Sequence, residues 1–103
     1  MSTKPKVVCL CGSTRFEQAF KDAMRDETLK GHIVLSVGLL GHKEGIDMNG
    51  PVKKMLDELH FRKIDLADEV LVLNVDGYIG HSTSNEVAYT KSLGKPIRYL
   101  EAV

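Results

Sequence analysis

The chain has 103 residues, and its 14 lysines and arginines balance 14 aspartates and glutamates. This length predicts a single domain, residues 1–103, that leaves little chain for a separate substrate domain. The balanced charge argues against a nucleic-acid partner, because such proteins usually carry a basic surface. No apolar run approaches the roughly 20 residues that span a bilayer, so we expect no membrane partner.

Apolar runs and helix-like stripes alternate along the chain. Val7–Cys11 is continuously apolar, which is typical of a strand covered on both faces, and similar strands are predicted at 32–37, 70–75 and 96–100. Apolar residues at helical spacing predict helices between the strands, at 15–30, 51–67 and 84–93. Gly31 is placed to end the first helix and Pro51 to begin the second. The predicted buried face of the second helix comprises Val52, Met55, Leu56, Leu59 and Ile64.

Strands separated by helices imply right-handed crossovers and a parallel sheet. The long return between the second and third strands suggests the strand order 2-1-3-4. We therefore predict a three-layer α/β fold, Rossmann-like or flavodoxin-like, with a four-stranded parallel sheet. Such sheets bind ligands beyond the carboxyl ends of their strands, so the crevice is expected between strands one and three. The glycine-rich loop 38–50 leaves the same edge, and loops of this length are usually functional or mobile.

Two loops are predicted to face each other across this crevice. Gly12, Ser13, Thr14 and Arg15 follow the first strand and offer backbone N–H groups, hydroxyls and a guanidinium, which suit an anion. Their alternative role is an ordinary helix cap followed by a surface arginine. The second loop spans 76–86 and contains Asp76, Gly80, Ser82 and Ser84.

Glu86 admits two interpretations. It ends the segment Thr83-Ser84-Asn85-Glu86, which matches a capping box in which the glutamate bonds back to the cap. Alternatively, it is a carboxylate nucleophile near a helix start, where the helix dipole favours its charged form. Asp68 is likewise either an ordinary connecting acid or a second carboxylate that holds a sugar or base, or manages a proton.

The cysteines and histidines indicate a reduced protein without a metal ion. Cys9 and Cys11 are expected on opposite faces of the first strand and therefore not to bridge. Residues 1–6 lack the apolar core of a signal peptide, so we expect a cytoplasmic protein. His60 and His81 are expected at the surface or behind a ligand-binding side chain, because no His/Cys/Asp spacing resembles a zinc site.

Cys9 and Arg15 have the Cys-x5-Arg spacing of cysteine phosphatases, in which a thiolate attacks phosphorus inside a phosphate-binding loop. Leu10 and Cys11 continue the apolar strand, however, and leave only three residues for such a loop. A cysteine inside a strand is an inert core thiol, and no Asp-Pro pair is present to supply an acid loop. This activity is the least favoured alternative.

Taken together, the motifs resemble those of the nucleoside 2-deoxyribosyltransferase superfamily, which includes N-glycosidases of deoxynucleoside monophosphates. The resemblance covers nearly the whole chain. It rests on Cys11-Gly12-Ser13-Thr14-Arg15, Ala67-Asp68, Glu86 ahead of Ala88, and Gly94-Lys95-Pro96-Ile97. It implies a retaining reaction at C1′ of the sugar, in which Glu86 attacks and the base leaves. A second base or water then completes the turnover, as in retaining glycosidases.

The resemblance also implies roles for other residues. Asp68 matches the acid that assists the base, and Gly12, Ser13 and Arg15 match a loop that holds a 5′-phosphate. The sequence departs from the family at Cys9, where a tyrosine is common, and at Gly80, where an acid or serine is common. A sugar contact would then fall to Asp76, Ser82 or Ser84. No cofactor is implied.

The favoured prediction is therefore an N-glycosidase or deoxyribosyltransferase-like enzyme that acts on a nucleotide or nucleoside. Its alternative is a non-catalytic module that binds a nucleotide or sugar phosphate with the same two loops. Loops too short to cover a nucleotide, together with apolar residues on an outer helix, predict a homodimer or larger homo-oligomer.

Overall fold

The computed structural model describes residues 4–37 and 50–103. The strands there are β1 (Val7–Cys11), β2 (Ile33–Leu35), β3 (Glu69–Val72) and β4 (Ile97–Tyr99), and the helices are α1 (Glu17–Leu29), α2 (Pro51–Leu66) and α3 (His81–Ser92). All strand pairs are parallel, and the order is β2-β1-β3-β4. The predicted α/β fold, parallel sheet and strand order are therefore confirmed. Apart from Gly50, the predicted loop 38–50 lies outside the described residues.

The two faces of the sheet carry separate cores, which gives the fold three layers. The face covered by α1 contains Val8, Leu10, Phe20, Ala23, Leu71 and Leu73. The face covered by α2 and α3 contains Cys9, Cys11, Ile64, Ala67, Val70 and Val72. Cys9 and Cys11 thus point to the same face. The expectation of opposite faces is wrong, because side chains two residues apart in a strand point the same way.

Helix α2 projects beyond the sheet at the carboxyl edge. Its 16 residues span about 24 Å at 1.5 Å per residue, whereas the four residues of β3 span about 13 Å. The half of the helix around Phe61 and Ile64 packs against the sheet. The predicted buried face is therefore wrong for Val52, Met55 and Leu59, whose exposed fractions are 37%, 53% and 48%.

The segment Gly94-Lys95-Pro96 closes the other end of α2. Lys95 Nζ donates hydrogen bonds to the carbonyl oxygens of Ile64, Asp65 and Ala67, at 2.9, 2.7 and 2.7 Å. The last carbonyl groups of a helix have no partner within the helix, so the ammonium group satisfies them. This motif contributed to the family resemblance, and here it has a structural role.

Candidate functional site

A cavity of about 690 Å³ opens at the carboxyl edge of the sheet, where open α/β sheets bind ligands. Its volume is typical of small-molecule sites. Its walls come from the loop after β1, the projecting half of α2 and the start of α3. Its described lining comprises Gly12, Ser13, Thr14, Val37, Lys53, Met55, Leu56, Asp57, Leu59, His60, Lys63, Tyr78, Gly80, His81, Ser82, Thr83 and Glu86. The two loops predicted to face each other therefore share one cavity.

Glu86 lies on the wall of this cavity, with 14% of its side chain exposed. Helix α3 begins at His81, before the predicted start, with Gly80 as its N-cap and no capping side chain. Thr83 is therefore inside the helix and only 4% exposed, so the capping-box interpretation of Glu86 is wrong. Its Oε1 instead lies 3.7 Å from Nε2 of His60 on α2.

His60 and the two cysteines lie directly behind Glu86. Nε2 of His60 is 3.3 Å from Sγ of Cys11 and 3.7 Å from Sγ of Cys9. His60 is 7% exposed and both cysteines are fully buried, so of the two positions expected for His60 the structure excludes the surface and places it against the cavity-lining Glu86. We call Cys9, Cys11 and His60 the cysteine–histidine cluster.

The ionisable groups of the cluster and Glu86 shift one another's pKa values. A hydrogen bond with Cys11 lowers the pKa of Cys9 to about 5, against the effect of burial and with the help of His60. The same bond, together with burial, raises the pKa of Cys11. Burial raises the pKa of Glu86, while His60 and Cys11 act in the opposite direction. Burial alone would lower the pKa of His60, but its bond to Cys9 and the charge of Glu86 raise it.

The loop after β1 reaches the cavity with residues 12–14 but not with Arg15. The Ser13 hydroxyl accepts a hydrogen bond from the backbone N–H of Arg15 at 3.3 Å. The Arg15 guanidinium stacks on the ring of Tyr78, 4.5 Å from its centre. Tyr78 lines the cavity and Arg15 does not, so the tyrosine ring separates the guanidinium from the position predicted for it.

The loop after β3 and the start of α3 bring Gly80 and Ser82 to the cavity but not Asp76 or Ser84. The Tyr78 ring packs on Gly80 so closely that a Cβ there would lie 3.0 Å from the tyrosine hydroxyl. Asp76 adopts a left-handed φ of 55°, which aspartate tolerates, and its N–H donates to a carboxylate of the carboxyl-terminal segment. Asp76 and Ser84 are therefore not positioned as the predicted sugar contacts.

Asp68 lies at the opposite edge of the sheet from Glu86. Its Oδ2 accepts a hydrogen bond from the N–H of Val7 at 2.8 Å, and its own N–H donates to the Val7 carbonyl at 2.7 Å. Parallel strands begin at one edge, so these contacts place Asp68 at the amino ends of β1 and β3. Glu86 lies beyond their carboxyl ends, and the predicted pairing of Asp68 with Glu86 is wrong.

Lys53 and Asp57 are cavity residues that the sequence analysis did not single out. They lie one turn apart on the projecting half of α2, and Lys53 Nζ is 2.8 Å from both carboxylate oxygens of Asp57. The same ammonium group is 3.4 Å from the hydroxyl of Ser82 on α3. Opposite charges at this spacing are common on exposed helix faces, so the sequence did not indicate that these two residues belong to a cavity. Asp57 and Glu86 are the two carboxylates in the described lining.

The environment of Cys9 contradicts the cysteine phosphatase alternative. Cys9 is fully buried within β1, and its backbone pairs with Leu35 of β2 and Val70 of β3. The backbone N–H groups around Cys9 take part in two strand ladders, so they cannot surround an anion bound at the thiolate. The Arg15 guanidinium meanwhile stacks on the ring of Tyr78.

The resemblance to the nucleoside 2-deoxyribosyltransferases rests on the residues of the chain itself. A scan against models of known protein families and a search of curated proteins each found no match. Of the motifs that suggested the resemblance, residues 12–14 and Glu86 meet at the cavity, whereas Asp68 lies at the other edge of the sheet. The family assignment therefore stays a hypothesis.

Proposed function

We propose that the protein cleaves the N-glycosidic bond of a (deoxy)nucleoside 5′-monophosphate by a retaining mechanism, as a hydrolase or a deoxyribosyltransferase. The observation that carries this proposal is the position of Glu86. Its carboxylate lines a cavity at the carboxyl edge of the sheet and is supported from behind by His60. A carboxylate in such a position suits attack on a sugar carbon.

In the proposed reaction, an oxygen of Glu86 attacks C1′ and the bond from C1′ to the base nitrogen breaks. The electron pair of that bond leaves with the base, and a glycosyl ester of Glu86 forms. Water or a second base then attacks C1′ and releases the carboxylate. Asp57, rather than Asp68, is the second carboxylate on the cavity wall, and we assign it electrostatic stabilisation of the positive charge that develops on the sugar.

The 5′-phosphate fits best between the loop 12–14 and the start of α3. No side chain caps this helix, so its first N–H groups have no partner within the helix, and the helix dipole attracts an anion. Lys53 and Lys63 add positive charge to the same lining. Arg15 reaches this region by rotating away from Tyr78.

A non-catalytic nucleotide-binding module is the second candidate. Gly80 favours it, because this position has no side chain to contact the sugar and Tyr78 packs over it. Both candidates use the same cavity, so they differ in whether a ligand is converted.

The screen that tests the proposed function is base release from nucleoside monophosphates. We expect free base from at least one ribo- or deoxyribonucleoside 5′-monophosphate, and much slower release from the matching nucleoside, which lacks the phosphate. The assay is liquid chromatography of the released base with chelator-treated protein. Binding of nucleotides without release of any base contradicts the enzyme and supports the binding module.

We propose that the protein acts on free nucleotides in the cytoplasm. Cys9 and Cys11 are both free thiols, as is usual in reducing compartments. The equal numbers of basic and acidic residues do not suit a nucleic-acid surface. No helix in residues 4–37 or 50–103 is long and apolar enough to cross a bilayer.

We further propose a homodimer that covers the projecting half of α2. Val52, Met55 and Leu59 lie on one face of this helix at helical spacing and are exposed, and Met55 and Leu59 also border the cavity. A second copy would bury this stripe and cover the opening of the cavity.

Light scattering after gel filtration tests the homodimer and should show a dimer for the wild type and a monomer for Met55→Lys. Leu29→Lys, on the exposed side of α1, is the matched control and should stay dimeric; a wild-type monomer contradicts the proposal.

A further inference from the structure

The cysteine–histidine cluster brings together three atoms that bind soft metal ions. Sγ of Cys9, Sγ of Cys11 and Nε2 of His60 all lie within 4.8 Å of one another, and all three residues are buried. Sequence spacing argued against a metal site, because the histidine follows the cysteines by 51 and 49 residues. The convergence arises from the fold: the pleat of β1 turns both thiols to one face, and α2 crosses that face at His60.

The two sulfur-to-nitrogen distances within the cluster suit tetrahedral coordination. Zinc binds sulfur at about 2.3 Å and imidazole nitrogen at about 2.0–2.1 Å, so neighbouring ligand atoms around it lie about 3.4–3.8 Å apart. The two sulfur-to-nitrogen distances are 3.3 and 3.7 Å. Oε1 of Glu86 lies 3.7 Å from the same nitrogen, but among the described residues the group whose atoms all lie within 4.8 Å of one another comprises Cys9, Cys11 and His60. The carboxylate thus lies beside the three-atom group without completing it, and the fourth corner is left for a water molecule.

The chemistry of the cluster also differs from that of ordinary core packing. A sulfur atom is a weak hydrogen-bond partner, yet Nε2 of the nearly buried His60 imidazole contacts two sulfur atoms. Apolar residues surround the cluster on this face of the sheet, which is the dry setting in which thiolate ligands hold a metal firmly. His60 and Glu86 line the cavity, so the cluster lies directly behind the cavity wall.

We propose that Cys9, Cys11 and His60 form a zinc-binding site whose fourth position is taken by a water molecule from the cavity. Binding forms two zinc–sulfur bonds, one zinc–nitrogen bond and one zinc–oxygen bond. Thiol protons are released to solvent, and no atom changes its oxidation state. Two thiolates around Zn²⁺ leave no net charge at the site. The site does not depend on the proposed base release.

Cobalt substitution tests the site directly, because Cys9 and Cys11 are the two cysteines of the chain. Reduced, chelator-treated protein is titrated with Co²⁺, and its absorption spectrum is recorded. We expect one Co²⁺ per chain, a thiolate-to-cobalt charge-transfer band and the strong visible bands of tetrahedral cobalt, all removed by one equivalent of Zn²⁺. Zinc should also raise the melting temperature, because it binds the folded chain. Absence of both the charge-transfer band and the melting shift overturns the proposal and leaves two inert core thiols.

Variants assign the individual ligands. Cys9→Ser, Cys11→Ser and His60→Asn should each weaken cobalt binding by more than about 100-fold, since even outer-shell partners contribute 10–100-fold. His81→Asn, in the same cavity but outside the cluster, should leave the affinity unchanged. Glu86→Gln, which changes a neighbour of the cluster and not a ligand, should keep the charge-transfer band and weaken binding about tenfold, as an outer-shell partner does.

Folding of each variant is checked by circular dichroism. An unchanged cobalt spectrum in a folded His60→Asn protein overturns the site. Base release is assayed in chelator, so failure of the metal site and failure of the proposed enzyme are separate results.

Discussion

Replacement of Glu86 by glutamine should reduce the kcat of base release by about 10³-fold or more, as expected when a catalytic nucleophile is removed. Glutamine keeps the size of the side chain but cannot form a glycosyl ester. Nucleotide affinity should change little, because Glu86 is one of 17 described residues in the cavity wall. The measurements are steady-state kinetics of base release and isothermal titration with the nucleotide identified by the screen.

Two further variants make this prediction specific. Glu58→Gln removes an exposed carboxylate of α2 that pairs with Arg62 and lies outside the cavity lining, so it should leave kcat unchanged. Asp57→Asn should lower kcat by about 10–10²-fold, because it removes a charge near the sugar without removing the nucleophile. Intact-mass measurement should detect a glycosyl adduct on the wild type and none on Glu86→Gln. Retention of base release by Glu86→Gln contradicts the proposed mechanism.

Replacement of Arg98 by methionine should lower the free energy of unfolding at pH 7 by about 2–4 kcal/mol, because it leaves a buried carboxylate without its ion-pair partner. Arg98 Nη2 donates to Oε1 of Glu27 at 2.6 Å, and Nε donates to Oε1 of Glu69 at 2.7 Å. Glu27 is 2% exposed and Glu69 7% exposed. Lys30 and His32 also contact Glu27, and Arg98 is itself partly exposed, so the loss falls below that of a fully buried pair.

The pH dependence of unfolding gives this prediction a second readout. Burial alone would raise the pKa of Glu27, but hydrogen bonds from Arg98, Lys30 and His32 lower it to about 2. A carboxyl group with a lowered pKa stabilises the fold above its unfolded pKa, near 4.5, and this stability is lost as the pH falls toward about 2. The shift corresponds to on the order of 3 kcal/mol. The unfolding free energies of wild type and Arg98→Met should therefore converge in this acid range.

Urea unfolding from pH 7 to pH 2 measures both effects. Arg25→Met is the matched control, because Arg25 pairs with Asp22 and Asp26 on the exposed surface of α1. Such surface pairs are worth about 0–1 kcal/mol, so its unfolding curve should stay close to that of the wild type at every pH. An Arg98→Met protein as stable as this control contradicts the assigned network.

Some features of the site were predicted correctly from the sequence. Others could have been predicted from it, but the prediction made was wrong. Parallel topology alone places Asp68 at the amino edge, because it precedes its strand, and the family resemblance led to the wrong role. The shared face of Cys9 and Cys11 likewise follows from their spacing in a strand. The departure from the family at Gly80 is accounted for by Tyr78, whose ring packs over this glycine.

The sequence by itself determined the alternation of strands and helices, the parallel order of the sheet and the edge at which the two loops meet. These follow from local periodicity and from the few connections that a parallel sheet allows. Only the tertiary structure decided that α3 begins at His81, that α2 projects beyond the sheet, and that His60 meets Cys9, Cys11 and Glu86. These features depend on the rotation and length of each helix relative to the sheet. Packing between residues distant in sequence determines this rotation and length, and local sequence patterns do not predict such packing.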